Sequence, residues 1–400
     1  MTTLAPGAST SRSYPATADE VLARVNELVP VLRDRAQATE KLRRMHPDTL
    51  EDLTSAGVCK LTMPKDAGGY EAEPRVLTEV LAQIARGCPS TSWIAAIIAS
   101  ANFWTGLLPD EAAEEILATP DLRMTSVFAP TTKAVAVDGG VLLSGQAQWN
   151  TGGVHSHWIS LNAMQETEHG PFPIAVIIRA DETTMHDTWH ASGMAGTATN
   201  AFTVENVFVP QRRILSVLSL AEGTNFPQRK YSDHPYFNRP AVQFLSLVTA
   251  PPMLGMARGA MDVFMEKLPS KSITYTNYTK AAEAPLTHHQ VAGAQFHLET
   301  AEMYMRAMED LLNSTHGKEV SLESRIKTRA WCGQVAKHSR ACVNQLFEAS
   351  GASQIQHSAH IQRYFRDVNS LGLHALIQPT TSDELYGRML CGLEPNTFFV

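Results

Sequence analysis

Apolar residues recur at helical spacing through the first third of the chain. The first helix carries one apolar stripe, formed by Val21, Leu22, Val25, Leu28, Val29 and Leu32. Further helices are expected from Pro47 to just before Gly57 and over 74–86. The segment 93–108 is apolar almost all round, which is typical of a helix buried in a bundle. The pattern therefore predicts an all-helical N-terminal domain over residues 18–122.

After this domain, apolar and polar residues alternate along the chain. Two strand-like runs flank Asp138-Gly139-Gly140, whose glycines suit the positive φ of a tight hairpin. Further strand candidates, bounded by Gly, Pro, Asp and Asn, cover 158–164, 173–179 and 202–209. We therefore expect a central antiparallel β domain, a small barrel or sandwich, over residues 123–217.

Helical spacing returns in the last part of the chain, over 241–268, 288–312 and 322–350, which predicts a C-terminal helical bundle over 241–400. The preceding segment, 218–240, shows neither period and contains three prolines, so we expect a linker loop. The segment 1–17, rich in Ser, Thr, Ala and Pro, is expected to be a disordered lead-in. The order of elements makes this an α+β protein.

Composition narrows the class of protein. The 400 residues are 44% hydrophobic and 18% charged, which is ordinary for a globular protein. The formal net charge is −7 and no dense Lys/Arg cluster occurs, so a nucleic-acid partner is not expected. The longest apolar run, 93–104, is shorter than the roughly 20 residues that span a bilayer, and no secretory signal is recognisable. We therefore expect no membrane association and a cytoplasmic location.

Common catalytic and metal motifs are missing from the sequence. It contains no dinucleotide glycine fingerprint, phosphate loop or Gly-x-Ser-x-Gly elbow. The five cysteines are scattered, which favours neither disulfides nor a zinc site. The histidine pairs His155/His157 and His186/His190 lack a nearby third ligand at a recognised spacing, so we expect packing or surface roles and no metal.

One segment, 145–158, carries a resemblance to a known family. It ends a strand with Trp149, places the hydroxyl of Thr151 two positions later and continues with Gly152 and Gly153. This pattern resembles the flavin strand of the acyl-CoA dehydrogenase superfamily, and the helical, β and helical order agrees over nearly all of residues 18–400. The resemblance implies an acyl-CoA dehydrogenase-like fold, with the flavin between the β domain and the C-terminal helices and no dinucleotide motif.

The C-terminal third separates two branches of this superfamily. In the dehydrogenases a glutamate nine residues after the arginine of an Arg-Asp pair abstracts the α proton of the thioester. Counting from Arg366 gives Ala375, and the segment 241–258 contains no acidic residue to replace that base. Without a base, dehydrogenation has no route for the proton. The Arg-Asp pair followed by His374 instead resembles the two-component flavin-dependent monooxygenases of this fold.

The resemblance implies an oxygenase component that hydroxylates a small aromatic molecule, phenolic, indole-like or polycyclic, through a flavin C4a-hydroperoxide. Reduced FAD, or FMN, would come from a separate flavin reductase, with dioxygen as co-substrate. The alternatives are an N- or S-oxygenase of the same fold and an acyl-CoA dehydrogenase. A non-enzymatic alternative is a degenerate paralogue that only binds flavin or packs as a structural partner.

Two residues are expected to be catalytic. By the resemblance, Thr151 is placed to hydrogen bond near flavin N5, where it would help to retain the hydroperoxide. A histidine that titrates near neutrality suits His374, as a base or a hydrogen-bond donor in oxygen transfer. The structural alternatives are a threonine that satisfies the end of a strand and an interior histidine at the end of a helix.

The resemblance also implies cofactor contacts from three parts of the chain. Phe128 is expected on the strand that lines the flavin face, and Trp149, Thr151 and Gly152 on the flavin strand. The turn Gly351-Ala352-Ser353 resembles one that reaches the cofactor of a neighbouring subunit, although a plain helix cap is the alternative. A homotetramer, or at least a dimer, is expected on this basis.

The substrate pocket is expected to include Trp93, Asn102 and His374. Related hydroxylases often carry a histidine in the neighbourhood of Asn102, and an amide there cannot titrate. The sequence motif Arg363, Arg366 and Asp367 is expected to form a structural ion pair on the bundle rather than to act in catalysis.

Overall fold

The computed structural model describes residues 13–168, 170–223, 229–397 and 399–400. The N-terminal domain is helical, as expected, and consists of α1 (Ala18–Leu42), α2 (Pro47–Ser55), α3 (Pro74–Gly87), α4 (Pro89–Asn102) and α5 (Asp110–Leu117). Capping explains its first boundary, because the Thr17 side chain accepts a hydrogen bond from the backbone N–H of Glu20. Prolines in the first turn begin α2, α3 and α4, where a missing N–H costs nothing.

The expected disordered lead-in is too long by residues 13–17. Pro15 is buried, and its carbonyl accepts a hydrogen bond from the Tyr70 hydroxyl. This short segment therefore packs as part of the N-terminal domain. The remainder of the expected lead-in, 1–12, lies outside the described residues.

The central domain is one seven-stranded sheet with the order β5-β6-β2-β1-β3-β4-β7. Its strands are β1 (Met124–Val137), β2 (Gly140–Asn150), β3 (Trp158–Thr167), β4 (Gly170–Arg179), β5 (Thr184–His186), β6 (Asn200–Pro210) and β7 (Ile214–Ser216). The expected hairpin is confirmed, because Val137 pairs with Gly140 across the Asp138-Gly139 turn. Antiparallel pairing holds for the described neighbours except β1 and β3, which run parallel because the chain crosses from β2 to the other side of β1.

The C-terminal part is helical, as expected. Its elements are α6 (Val217–Glu222), α7 (Ala241–Thr249), α8 (Pro251–Lys267), α9 (Pro285–Ser314), α10 (Leu322–Ser350), α11 (His360–Leu371) and α12 (Pro379–Leu390). The single helix expected over 241–268 is divided into α7 and α8. Pro251 and Pro252 explain the division, since proline cannot donate a helical backbone hydrogen bond.

The segment expected to be a linker loop, 218–240, is helical at its start and irregular but closely packed over 229–240. Its first residues belong to α6, and 224–228 lie outside the described residues. In the remainder, Phe237 is fully buried, with its ring 5.5 Å from that of Phe103. Gly106 packs so closely on Phe237 that a Cβ there would lie 2.1 Å from the ring. The segment 229–240 therefore packs against the N-terminal domain through a buried aromatic side chain.

The helical domains and the sheet have different hydrophobic cores, and the position of these cores limits where a site can form. One large core is shared by the N-terminal and C-terminal helices, and a smaller one fills the β domain. All residues of α4 are buried, and this helix contacts both β1 and α7. Consequently α4 lies between the sheet and the bundle. In the described part of the chain, no helix combines the length and apolarity needed to cross a membrane.

Candidate active site

The end of β2 has an unusual backbone. Trp149 adopts a left-handed φ of 61° and leaves 61% of its surface exposed, which is rare for a bulky residue and marks a strained position. Gly152 has φ 70°, and a Cβ there would lie 2.9 Å from the Ile94 side chain. Glycine is therefore required for the turn after Thr151 to pack against α4.

Thr151 begins a chain of buried hydroxyl groups. Its Oγ1 lies 2.9 Å from Oγ1 of Thr199, which lies 2.7 Å from Oγ1 of Thr197. The Thr197 hydroxyl donates to the carbonyl of Met194 at 2.8 Å. The predicted strand-end threonine is thus one end of a defined polar network inside the protein.

The loop that carries this network is strained and anchored. Met194 and Ala198 have φ values of 54° and 48°, in the left-handed region that disfavours residues with a Cβ. The backbone N–H of Met194 donates to the Asp367 carboxylate on α11 at 2.5 Å. Burial raises the pKa of Asp367 to about 6. The neighbouring Arg363 and Arg366 both pair with Glu40, which supports the structural interpretation of the Arg-Asp motif.

His374 lies in the turn between α11 and α12. Its ring packs edge-on against the Trp93 ring, with centroids 5.0 Å apart. Burial lowers the pKa of His374 to about 4, so the expectation of a group that titrates near neutrality is wrong for this state of the protein. The backbone N–H of Leu376 donates to Nδ1 at 3.4 Å. The neutral ring therefore carries its hydrogen on Nε2, which makes Nε2 a hydrogen-bond donor.

Two consecutive residues of α4 contact the two chain segments that carry the expected catalytic residues. Gly152, next to Thr151, packs on Ile94, and His374 packs on Trp93, the preceding residue of the helix. The chain segments that carry Thr151 and His374 thus contact α4 at consecutive residues of that helix.

Phe128 lies at the other end of this helix. The register between β1 and β3 shifts between Val127 and Thr132, so Phe128 occupies a bulge. The Asn162 side chain donates to the Phe128 carbonyl and fixes that bulge. The Phe128 ring lies 6.2 Å from the rings of both Trp104 and Phe399. Aromatic rings therefore flank both ends of α4.

The contacts of Asn102 contradict its expected place in the substrate pocket. The residue is fully buried, and its amide donates to the carbonyls of Cys59 and Leu122. Its Oδ1 accepts from the backbone N–H of Met124. Both amide hydrogens and the oxygen are thus used to join α4 to β1. We interpret Asn102 as a structural residue.

The turn Gly351-Ala352-Ser353 is exposed at the end of α10, with a φ of 76° at Gly351. It borders a cavity of about 310 Å³ whose lining includes Lys267 and Lys271. Burial lowers the pKa of Lys271. The turn therefore faces outward from the bundle, beside cationic side chains that suit an anionic group.

The rings of His157, His186 and His190 have structural partners, whereas Nε2 of His155 is buried without one among the described residues. Both ring nitrogens of His157 contact Arg123, and burial lowers the pKa of His155 and of His157 to about 4. His186 contacts the Thr203 hydroxyl. Across the described residues, no group of three or more His, Cys, Asp or Glu side chains is arranged to hold a metal ion.

Comparison with known proteins gives a consistent result. Residues 247–379 match the family model described as acyl-CoA dehydrogenase, C-terminal domain. The chain is 30% identical, over 96% of its length and 98% of the relative, to the flavin-dependent monooxygenase oxygenase subunit HsaA of Mycobacterium tuberculosis. It is 26% identical, over 94% and 95% of the two chains, to the oxygenase component of the FADH(2)-dependent resorcinol hydroxylase of Rhizobium.

Solved structures agree with these sequence matches. The structure of XiaF from Streptomyces, in complex with FADH2 and glycerol, superposes with a TM-score of 0.87 and 27% sequence identity. The match covers 95% of this chain and 97% of that chain. The similarity therefore extends over all three domains.

Proposed function

Because this chain belongs to the flavin-dependent monooxygenase oxygenase subunits of the acyl-CoA dehydrogenase fold, we propose that Thr151 and His374 act together in the hydroxylation of a small aromatic molecule. Family membership makes the protein an oxidoreductase that uses reduced flavin and dioxygen. The relatives are oxygenase components, so electrons come from a separate reductase. The observation that supports our assignment is that Gly152, next to Thr151, and His374 contact consecutive residues of α4, Ile94 and Trp93.

The strand end fits a flavin. Trp149 offers an exposed aromatic face held in place by a left-handed backbone, and Thr151 offers a buried hydroxyl two residues later. Trp149, Thr151 and Gly152 would hold the isoalloxazine, with Phe128 as a further contact. The bound reduced flavin activates dioxygen and supplies the oxygen atom that is transferred.

His374 would hold the oxygen-bearing or phenolic group through its Nε2–H. The ring is neutral, since its pKa is about 4, and it packs half-buried against Trp93. A donor in such a setting stabilises developing negative charge more strongly than water does. The adjacent Ala375 cannot abstract a proton, which disfavours the dehydrogenase alternative.

The substrate is proposed to be a flat aromatic molecule. Trp93 lines the end of α4 near His374, while Trp104 and Phe128 form a second aromatic wall at its far end. Resorcinol, named for the Rhizobium relative, is a suitable first probe of the phenolic class. The Trp104 indole donates to the Ser126 hydroxyl, which keeps this wall in a fixed orientation.

We propose a homotetramer as the working assembly. Phe296 and Met303 on α9 each expose 68% of their surface, and large exposed apolar side chains on one helix indicate an interaction surface. The outward-facing Gly351 turn, near Lys267 and Lys271, would contact the cofactor of a neighbouring subunit. Light scattering should give four copies, and Phe296→Glu with Met303→Glu should reduce that number. The expected cytoplasmic location stays a prediction.

A reductase-coupled assay tests the proposed reaction. The purified protein, FAD, NADH and a generic flavin reductase are incubated with resorcinol or an indole, and product is identified by mass. We expect substrate-dependent product that gains one oxygen atom, and none when the reductase is omitted. Oxygen incorporated at nitrogen or sulfur instead would support the N- or S-oxygenase alternative.

A further inference from the structure

The three threonine hydroxyls that begin at Thr151 form a chain with a direction. A hydroxyl has one hydrogen to donate and two lone pairs that accept. The chain passes from Thr151 through Thr199 and Thr197 to the Met194 carbonyl, over distances of 2.9, 2.7 and 2.8 Å. Its last member, a carbonyl, has no hydrogen to give. One arrangement of hydrogens therefore satisfies every contact.

That arrangement follows link by link. The Thr197 hydrogen points at the Met194 carbonyl, because two sets of lone pairs would repel at 2.8 Å. The other partners of this carbonyl, the Trp189 indole N–H and the Thr197 backbone N–H, are also donors. Thr199 must then donate to Thr197, and Thr151 must donate to Thr199. Consequently Thr151 presents only lone pairs to a ligand.

The surroundings hold this direction in place. The three threonines are all buried, so water cannot substitute for a lost partner. Met194 and Ala198 are held in left-handed conformations on either side of Thr197, and the Met194 N–H is fixed by Asp367. Reversing the chain would set the lone pairs of Thr197 against the Met194 carbonyl at 2.8 Å and leave the Thr151 hydrogen without a described protein partner. A buried donor left in this way costs roughly 1–3 kcal/mol.

We propose that Thr199 and Thr197 are positioning residues that fix Thr151 as a hydrogen-bond acceptor, and that this acceptor makes the site prefer reduced over oxidised flavin. The inference rests on the proposed function, in which Thr151 lies near flavin N5. Reduced flavin carries a hydrogen on N5, which the Thr151 oxygen can accept. Oxidised flavin has only a lone pair at N5 and would meet the lone pairs of Thr151.

Flavin affinity in the two redox states tests the proposal. We would measure Kd for oxidised FAD and, anaerobically, for reduced FAD with wild type, Thr199→Val and Thr151→Val. Thr199→Val frees the Thr151 hydrogen to donate, so oxidised FAD should bind roughly 5-fold more tightly while reduced FAD changes little. Thr151→Val should weaken reduced FAD by a similar factor and leave oxidised FAD unchanged.

The midpoint potential of bound FAD gives a second readout. The thermodynamic cycle links this potential to the Kd for oxidised FAD divided by the Kd for reduced FAD. A roughly 5-fold fall in that ratio lowers the midpoint potential by about 20 mV. Thr197→Val removes only the far end of the chain and should give a smaller change of the same sign. If Thr199→Val fails to fold, Thr197→Val still provides a measurement of the same effect.

Thr132→Val is the matched control. Thr132 is a buried threonine of the same domain, and its hydroxyl donates to the Asn162 carbonyl outside the chain. In Thr132→Val, we expect the ratio of Kd for oxidised FAD to Kd for reduced FAD to equal that of wild type. Equal ratios in wild type, Thr199→Val and Thr197→Val, with FAD bound by all three, would overturn the proposal. A wild-type protein that binds neither FAD nor FMN in either redox state would instead contradict the proposed function.

Discussion

The sheet side and the bundle side of α4 present different kinds of chemistry. On the sheet side, Thr151 belongs to a network in which every hydroxyl has a partner and the backbone is strained. On the bundle side, His374 lies in a compact turn, and the described contacts of its ring are the Trp93 ring and the Leu376 backbone. The first side fixes a hydrogen-bond direction, and the second provides a neutral donor.

The difference indicates a division of roles. Removing a group from a fully satisfied network alters its neighbours, whereas removing His374 deletes one donor and leaves the fold intact. We therefore expect the sheet side to set cofactor preference and coupling, and the bundle side to set the rate of oxygen transfer. Substitutions on the two sides should affect different observables.

The largest effect is expected at His374. His374→Ala should lower hydroxylation by roughly 10²- to 10⁴-fold, the usual contribution of a positioned proton-transferring or hydrogen-bonding group. His374→Gln, which places an amide donor near the position of Nε2, should recover part of the loss. Single-turnover product yield measures this, with FAD affinity as the control. Equal yields in all three proteins would make His374 a packing residue.

Asn102 provides a contrast within the same helix. Asn102→Ala deletes three buried hydrogen bonds to backbone groups, and each loss costs roughly 1 kcal/mol or more. The free energy of unfolding should therefore fall by about 3 kcal/mol or more. The KM for the aromatic substrate should change little in protein that remains folded. A raised KM with an unchanged free energy of unfolding would indicate instead that Asn102 lines the substrate pocket.

Asp367 should make the anchoring of the sheet-side loop depend on pH. Its pKa is raised to about 6 in the folded protein, so its contribution to stability is complete below about pH 4 and is lost as pH rises through 6. Relative to Asp367→Asn, wild type should lose about 2 kcal/mol between pH 4 and 7. Chemical unfolding of both proteins across this range measures the difference. If the free energy of unfolding depended on pH in the same way in both proteins, this role of Asp367 would be contradicted.

The smallest effect on rate is expected at Thr151. Thr151→Ala removes one hydrogen bond of about 1–2 kcal/mol, which corresponds to roughly 5- to 30-fold faster loss of activated oxygen as hydrogen peroxide. The ratio of product to oxygen consumed should fall accordingly. Thr132→Val again serves as the control. If coupling in Thr151→Ala equals that of wild type, the hydroxyl only completes the end of the strand.

The sequence predicted the helical and strand regions well where spacing and caps are local. The start of α2 at Pro47 and the hairpin at Gly139 follow from residue chemistry alone. The parallel pairing of β1 with β3 was missed because register depends on distant parts of the chain. Pro251-Pro252 was a readable signal for the division between α7 and α8 that the periodicity alone did not resolve.

The candidate site was predicted only in part. The motif around Trp149 and the position of His374 were readable from the sequence, and their roles in the site stay predictions. The hydroxyl partners of Thr151 were missed, since a threonine at 199 has no signal until the loop is folded. Asn102 was misassigned because its hydrogen bonds join segments far apart in sequence.

The most direct test of the account is a single turnover with flavin reduced in advance. Chemically reduced FAD, the protein and resorcinol are mixed without oxygen and then exposed to ¹⁸O-labelled dioxygen, with no NAD(P)H present. The account predicts a hydroxylated product that contains one labelled oxygen atom, in a yield that falls sharply in His374→Ala. Binding of reduced FAD followed only by hydrogen peroxide, with the same outcome for indole and larger aromatic probes, would contradict it.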